Sequence, residues 1–170
     1  SNVLYIEKDI TLKSLSGSGA TTFSGNGDIV ISVNDNSNWC AIEGFELNSN
    51  GGTSVFEATG YSDNLILKDI IVDNDIYIYG SNLDIDGLNS NFSLLLFAIS
   101  ANENRNYWYN FNNLNLIKES GDLIVFNKSN NEHVTRISNY RFNITNSRLI
   151  TGDGVDYNNN VFKPGSYAGS

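Results

Sequence analysis

The sequence predicts an all-β domain of stacked coils, each about 24 residues long. Three observations predict it. A phrase of apolar, polar, Gly/Asn/Asp, apolar, polar and apolar residues recurs five times. It reads "AIEGFELNSN" at Ala41–Asn50, "LKDIIVDND" at Leu67–Asp75, "IDGLNSN" at Ile85–Asn91, "FNNLNLIKE" at Phe111–Glu119 and "ISNYRFNIT" at Ile137–Thr145. A second apolar segment follows each phrase by about ten residues, at strand length. Helix signals are missing: asparagine, a poor helix former, takes about one residue in six, and the apolar residues alternate instead of recurring every 3.6.

Each element follows from this alignment. Set in register, the Gly/Asn/Asp column reads Gly44, Asp69, Gly87, Asn113 and Asn139, with Asp9 as an earlier copy in "EKDITL". Gly, Asn and Asp are the residues that accept left-handed backbone angles, so this column predicts a recurrent bend. Two before it stand Ile42, Leu67, Ile85, Phe111 and Ile137. One after stand Phe45, Ile70, Leu88, Leu114 and Tyr140, and two further Leu47, Val72, Leu116 and Phe142, with Ser90 as the exception. These are inward positions with strand period two on either side of a turn. The positions between are nearly all polar and face out. The second segments are "SVFEA" at Ser54–Ala58, "IYIY" at Ile76–Tyr79, "SLLLFAI" at Ser93–Ile99, "DLIVF" at Asp122–Phe126 and "RLI" at Arg148–Ile150, and "NLIL" at Asn64–Leu67 reads as a third short strand. Phe23, Phe45, Phe56, Phe97, Phe111, Phe126 and Phe142 fit inward positions. The stretch Leu15–Asp28 departs from the period, as does the tail that holds Pro164.

The chain has 170 residues, 40% of them apolar, enough for one sizeable domain. Its alternating apolar runs argue against a disordered Asn-rich tract. The formal charge is −9 and no cluster of Lys or Arg stands out, so nucleic acid and anionic membrane are not expected partners. The longest apolar run, Leu94–Ile99, is too short to insert into a bilayer, and no signal peptide opens the chain. Cys40 has no partner for an internal disulfide and is expected in the core. The single histidine, His133, is expected on a loop or pointing outward.

Two or three short strands per coil, with a Gly/Asn/Asp corner and asparagines free to ladder from coil to coil, resemble the right-handed single-stranded parallel β-helix of the pectin-lyase-like superfamily. The resemblance covers about Val3 to Ile150 and rests on architecture. It implies a β-helix over residues 1–150 and an irregular cap, linker or swap arm over 151–170. The alternative is an antiparallel β-sandwich, which also has many short strands.

Pectin-lyase-like folds carry several chemistries, so function must come from the site. The Asn-Thr-Asp, Gly-His-Gly and Arg-Ile-Lys sets of the pectinolytic hydrolases do not stand in this sequence. A lyase base of the family's kind would have to be Lys68 or Arg141, both outward in this register. The catalytic candidates are paired carboxylates: Asp73 and Asp75, then Asp84 and Asp86. Asp-x-Asp on a strand sets both on one face with Cα atoms about 7 Å apart, a spacing that suits acid–base work on a glycosidic bond or a hard cation. No metal site or cofactor is expected. The carbohydrate-binding candidates are Arg105, Tyr107, Trp108 and Tyr109 in "NENRNYWYN", with Tyr77 and Tyr79 as second choices. Flat rings rimmed by amides suit a sugar, whose C–H groups pack on the ring while its hydroxyls bond the amides. Alternation puts Tyr107 and Tyr109 on one face and Trp108 on the other. Trp39 lies in the polar stretch "NDNSNWC".

The non-enzymatic proteins of this architecture are bacteriophage tail spikes and secreted adhesins. The opening "VLYIEKDITLKSLSGSGATTFSGNGDIVISV", with its "SGNGD" turn at Ser24–Asp28, resembles tail-spike chains. That resemblance implies a fragment of a homotrimer, placed outside a cell or on a virion surface, with a surface polysaccharide as partner. A polysaccharide hydrolase or lyase on the same fold is the alternative, and a rigid spacer the third.

Overall fold

The computed structural model of the chain describes residues 3–27, 29–34, 39–52, 54–59, 64–79, 82–92, 94–98, 106–119, 121–128, 139–152 and 162–163. Among them are strands and turns but no helix, and so none long and apolar enough to cross a membrane. The strands are β1 (Leu4–Ile6), β2 (Ile10–Lys13), β3 (Thr22–Ser24), β4 (Ile31–Val33), β5 (Trp39–Asn48), β6 (Phe56–Ala58), β7 (Asn64–Val72), β8 (Ile76–Tyr79), β9 (Asn82–Ser90), β10 (Leu94–Ala98), β11 (Asn106–Lys118), β12 (Ile124–Lys128), β13 (Asn139–Thr145), β14 (Arg148–Thr151) and β15 (Phe162–Lys163).

They form two parallel sheets. One runs β1-β4-β6-β8-β10-β12-β15. The other runs β2-β5-β7-β9-β11-β13, with β3 also on β5 and β14 also on β11. From β4 to β13 the chain alternates strictly between the sheets, so each strand pairs with the next but one. Parallel neighbours need a crossover connection, and here the crossover is a strand of the other sheet. This all-β, parallel arrangement is compatible with a β-helix.

The bend column is real. Gly44, Asp69, Gly87 and Asn113 have φ of 81°, 49°, 84° and 54°. Each stands inside a long strand of the second sheet and folds it into two flat segments. Alternation on both sides puts Ile42, Leu67, Ile85 and Phe111, then Phe45, Ile70, Leu88 and Leu114, into the core. Ser90 is buried among them, its Oγ accepting the Phe92 N–H at 2.9 Å. The first sheet closes the core with Ile31, Val33, Phe56, Ala58, Ile76 and Ile78.

Register differs from the sequence alignment at both ends. The fifth bend is Asn146, φ 49°, not Asn139. Tyr109 pairs with Phe142 and Asn115 with Arg148, so "FNITNSRLI" is the true copy. Arg148–Ile150 therefore continues the second sheet and is not a second segment on the other sheet. At the start, Ile10 pairs with Cys40 and Lys13 with Glu43. Ser14, not Asp9, thus meets the bend column. "NLIL" is the first half of β7, not a separate strand. Phe97 shares its column with Tyr79 and not with the inward Ile78. Phe142 stacks on Tyr109 at 5.0 Å yet stays 40% exposed. Within the tail expected to be irregular, Phe162–Lys163 pairs with β12.

Side chains ladder between neighbouring strands on the outer face. Asn112 and Asn113 both donate to Asp86 Oδ1, at 2.9 and 2.7 Å. Asn115 donates to Asn89 Oδ1 at 2.9 Å, and Asn112 Oδ1 accepts from Thr145 and Asn146. Each such bond contributes roughly 1 kcal/mol or less where water competes.

Candidate functional site

The outer face of the second sheet, before the bend, holds a groove of about 420 Å³. Its lining is Asn64, Ile66, Asn82, Leu83, Asp84, Trp108 and Asn110. Parallel pairing explains why these residues meet. One outward column runs Trp39, Asn64, Asn82, Trp108 and Arg141, and the next runs Ala41, Ile66, Asp84, Asn110 and Asn143. The half-buried Ile66 makes the lining partly apolar. Trp108 forms a wall.

Trp108 is held at three points. Its backbone N–H donates to Asn82 Oδ1 at 3.0 Å. The Arg141 guanidinium lies 4.6 Å from its ring centroid, from the β13 side. Strand pairing fixes the rest. Even so, 48% of Trp108 is exposed. Trp39, at the other end of the column, is 38% exposed, and its backbone N–H donates to Asp9 Oδ1 at 3.2 Å.

Among the described residues proposed to bind sugar, the structure brings only Trp108 to this groove. Tyr109 is 1% exposed and packs inside against Phe111 and Phe142. It is a core residue, because alternation turns it away from Trp108. Tyr107 pairs with Tyr140, and its side chain, like all of Arg105, lies outside the described residues. So does His133. Tyr77 and Tyr79 stand on the outer face of the first sheet, away from the groove. Burial pushes both hydroxyls above the ordinary tyrosine range. Asp75 and then Glu57 add to this at Tyr77, and Glu57 and then Tyr77 at Tyr79. Burial also raises the Glu57 carboxyl.

The carboxylates separate into roles. Asp84 lines the groove. Asp86, two along on the same face, accepts the two asparagine amides described above. Asp73 Oδ1 accepts the Ser49 N–H at 2.8 Å in the turn after β5. Asp75 follows β7 in the turn before β8. Among the described residues no three His, Cys, Asp or Glu side chains converge as metal ligands would. Lys68 lies in register between Glu43 and Asp86.

Sequence reasoning missed Asn64, Asn82 and Asn110, and left Trp39 as a bystander. The signal was available for the column: Trp39, Asn64, Asn82 and Trp108 hold the same place in their strands relative to Gly44, Asp69, Gly87 and Asn113. Chemically, the groove offers an aromatic face, carboxamide donors and acceptors, and one carboxylate. No protein-family model, curated protein or solved structure matches the chain.

Proposed function

We propose that the chain winds as a right-handed single-stranded parallel β-helix of the pectin-lyase-like kind and binds a surface polysaccharide. In this reading it is the β-helix domain of a virion tail spike or a cell-surface adhesin, works as a homotrimer, and stands outside a cell or on a virion. Strict alternation between two parallel sheets supports the winding. The observation that carries the binding role is the exposed, propped Trp108 beside Asn82, Asn110 and Asp84. An exposed indole rimmed by amides presents the two kinds of contact a sugar makes, C–H packing and hydroxyl bonding. The test is retention of the protein in gels that contain soluble polysaccharides. Trp108→Ala is expected to lose retention while Asp86→Asn keeps it. Unchanged migration of the wild-type protein in every gel would remove the binding role. Light scattering tests the trimer, which a monomer mass would rule out.

A polysaccharide-cleaving enzyme is the second reading, favoured by Asp84 at the groove. It requires that Asp84→Asn abolish release of reducing ends or unsaturated products while retention persists.

A further inference from the structure

Trp39 and Trp108 stand in one column, with Asn64 and Asn82 between them. Three inter-strand steps of about 4.8 Å separate their backbones by roughly 14 Å. Both indoles are among the large hydrophobic side chains left exposed, on a face whose other outward positions are mostly polar. The line between them runs across the strands, in the direction in which the strands stack. Asp84 is the one ionisable group in the groove lining. The nearby Arg141 guanidinium lies over the Trp108 ring, and Lys68, in register between Glu43 and Asp86, is not part of the groove lining. The chain carries −9 overall. A polyanion would meet repulsion here and find no Lys or Arg among the lining residues.

We infer that the groove, together with the column that continues from it to Trp39, takes an uncharged polysaccharide chain laid across the strands, with Trp108 at the groove and Trp39 beyond its lining as two aromatic platforms and Asn64 and Asn82 bonding hydroxyls between them. This rests on the polysaccharide-binding reading and adds the ligand's charge class, its direction and a second platform. Two separated platforms favour a long chain over a single sugar, because the second contact is made at high effective concentration.

Affinity electrophoresis tests it with neutral probes (dextran, mannan, laminarin) and polyanionic ones (alginate, polygalacturonate, heparin). The expected result is retention by a neutral polysaccharide and by none of the polyanions. Trp39→Ala and Trp108→Ala should each weaken it about tenfold, as loss of an aromatic anchor does. Tyr5→Ala, an exposed aromatic change on the other sheet, controls for general effects and should change nothing. Circular dichroism of each variant checks that the sheets persist, and Trp39→Gln or Trp108→Gln replaces the alanine variant at the same position if that variant unfolds. Retention that needs Trp108 but not Trp39, or that only polyanions give, overturns this inference and leaves polysaccharide binding standing. No retention by any probe overturns both.

Discussion

Ser18 and Asp69, 51 positions apart, are joined by two hydrogen bonds. The Ser18 Oγ donates to Asp69 Oδ1 at 2.8 Å, and its backbone N–H donates to Oδ2 at 3.1 Å. The loop between β2 and β3 leaves β2 at Ser14, crosses Gly44 of β5 and reaches the bend of β7. Asp69 thus does two things at once: it supplies the left-handed bend, φ 49°, and it anchors a loop that follows β2.

Breaking that clasp should loosen the start of the domain. Ser18→Ala is expected to cost about 1 kcal/mol and Asp69→Ala about 2–3 kcal/mol, since the latter also loses a residue suited to the bend. Urea denaturation measures both, and limited proteolysis should show new cleavage near residues 15–20. A Ser18→Ala midpoint equal to wild type would mean the clasp is not stabilising.

Gly44 is the tightest point beneath that loop. A Cβ there would sit 3.2 Å from Ser14 Cβ and 3.3 Å from its carbonyl oxygen, on a backbone at φ 81°. Gly44→Ala should therefore cost about 2 kcal/mol or more. Asn113→Gly, at the equivalent bend, should stay within about 1 kcal/mol, the value of its bond to Asp86. Thermal melts of the pair decide it; equal losses would refute the crowding.

Arg141 positions Trp108 through a cation–π contact worth about 0.5–1 kcal/mol at an exposed site. Arg141→Ala should leave the melting temperature within a few degrees. Acrylamide quenching of indole fluorescence should rise, read on a Trp39→Phe background so that Trp108 alone reports. Arg141→Lys should restore part of the protection. Quenching that Arg141→Ala leaves unchanged would show that the ring is held by its strand alone.

Burial, and secondarily the Asp9 carboxylate, push the Cys40 thiol from 9.0 up to about 11. The folded state thus holds the thiol proton more tightly than the unfolded chain. Its contribution to stability is present below pH 9 and is lost as pH rises from 9 to 11, by an amount on the order of 1–3 kcal/mol. Cys40→Val should flatten that part of the stability curve relative to wild type. Aromatic disulfide reagents should label the thiol only after unfolding; rapid labelling of the native protein at pH 8 would contradict its burial.

Period two and the left-handed column were legible because both are local. Ile42, Phe45, Leu67 and Ile70 alternate around Gly44 and Asp69, and any chain with that pattern buries those side chains. The fifth copy was misread because Asn139 is followed by the apolar Tyr140, as the bend residues of the earlier copies are followed by apolar residues, whereas Asn146 is followed by Ser147. Pairing chooses Asn146: it sets Phe142 on Tyr109 and Ile144 on Phe111, which continue the inward columns. In "NYWY" the alternation was sound, yet three adjacent aromatics read as one cluster until burial divided Trp108 from Tyr109.

The sequence by itself determined the middle strands, their four bends, the faces they bury and the lack of helix among the described residues, because these follow from backbone preference and side-chain alternation over a few residues. The tertiary structure decided which strand lies beside which and in what register. That depends on connections of unequal length: Leu65 pairs with Leu83, but Tyr109 pairs with the much more distant Phe142. Register alone aligned Trp39 with Trp108 and set Asp84 beside Asn110. The candidate site is therefore a property of stacking, and no single stretch of the chain contains it.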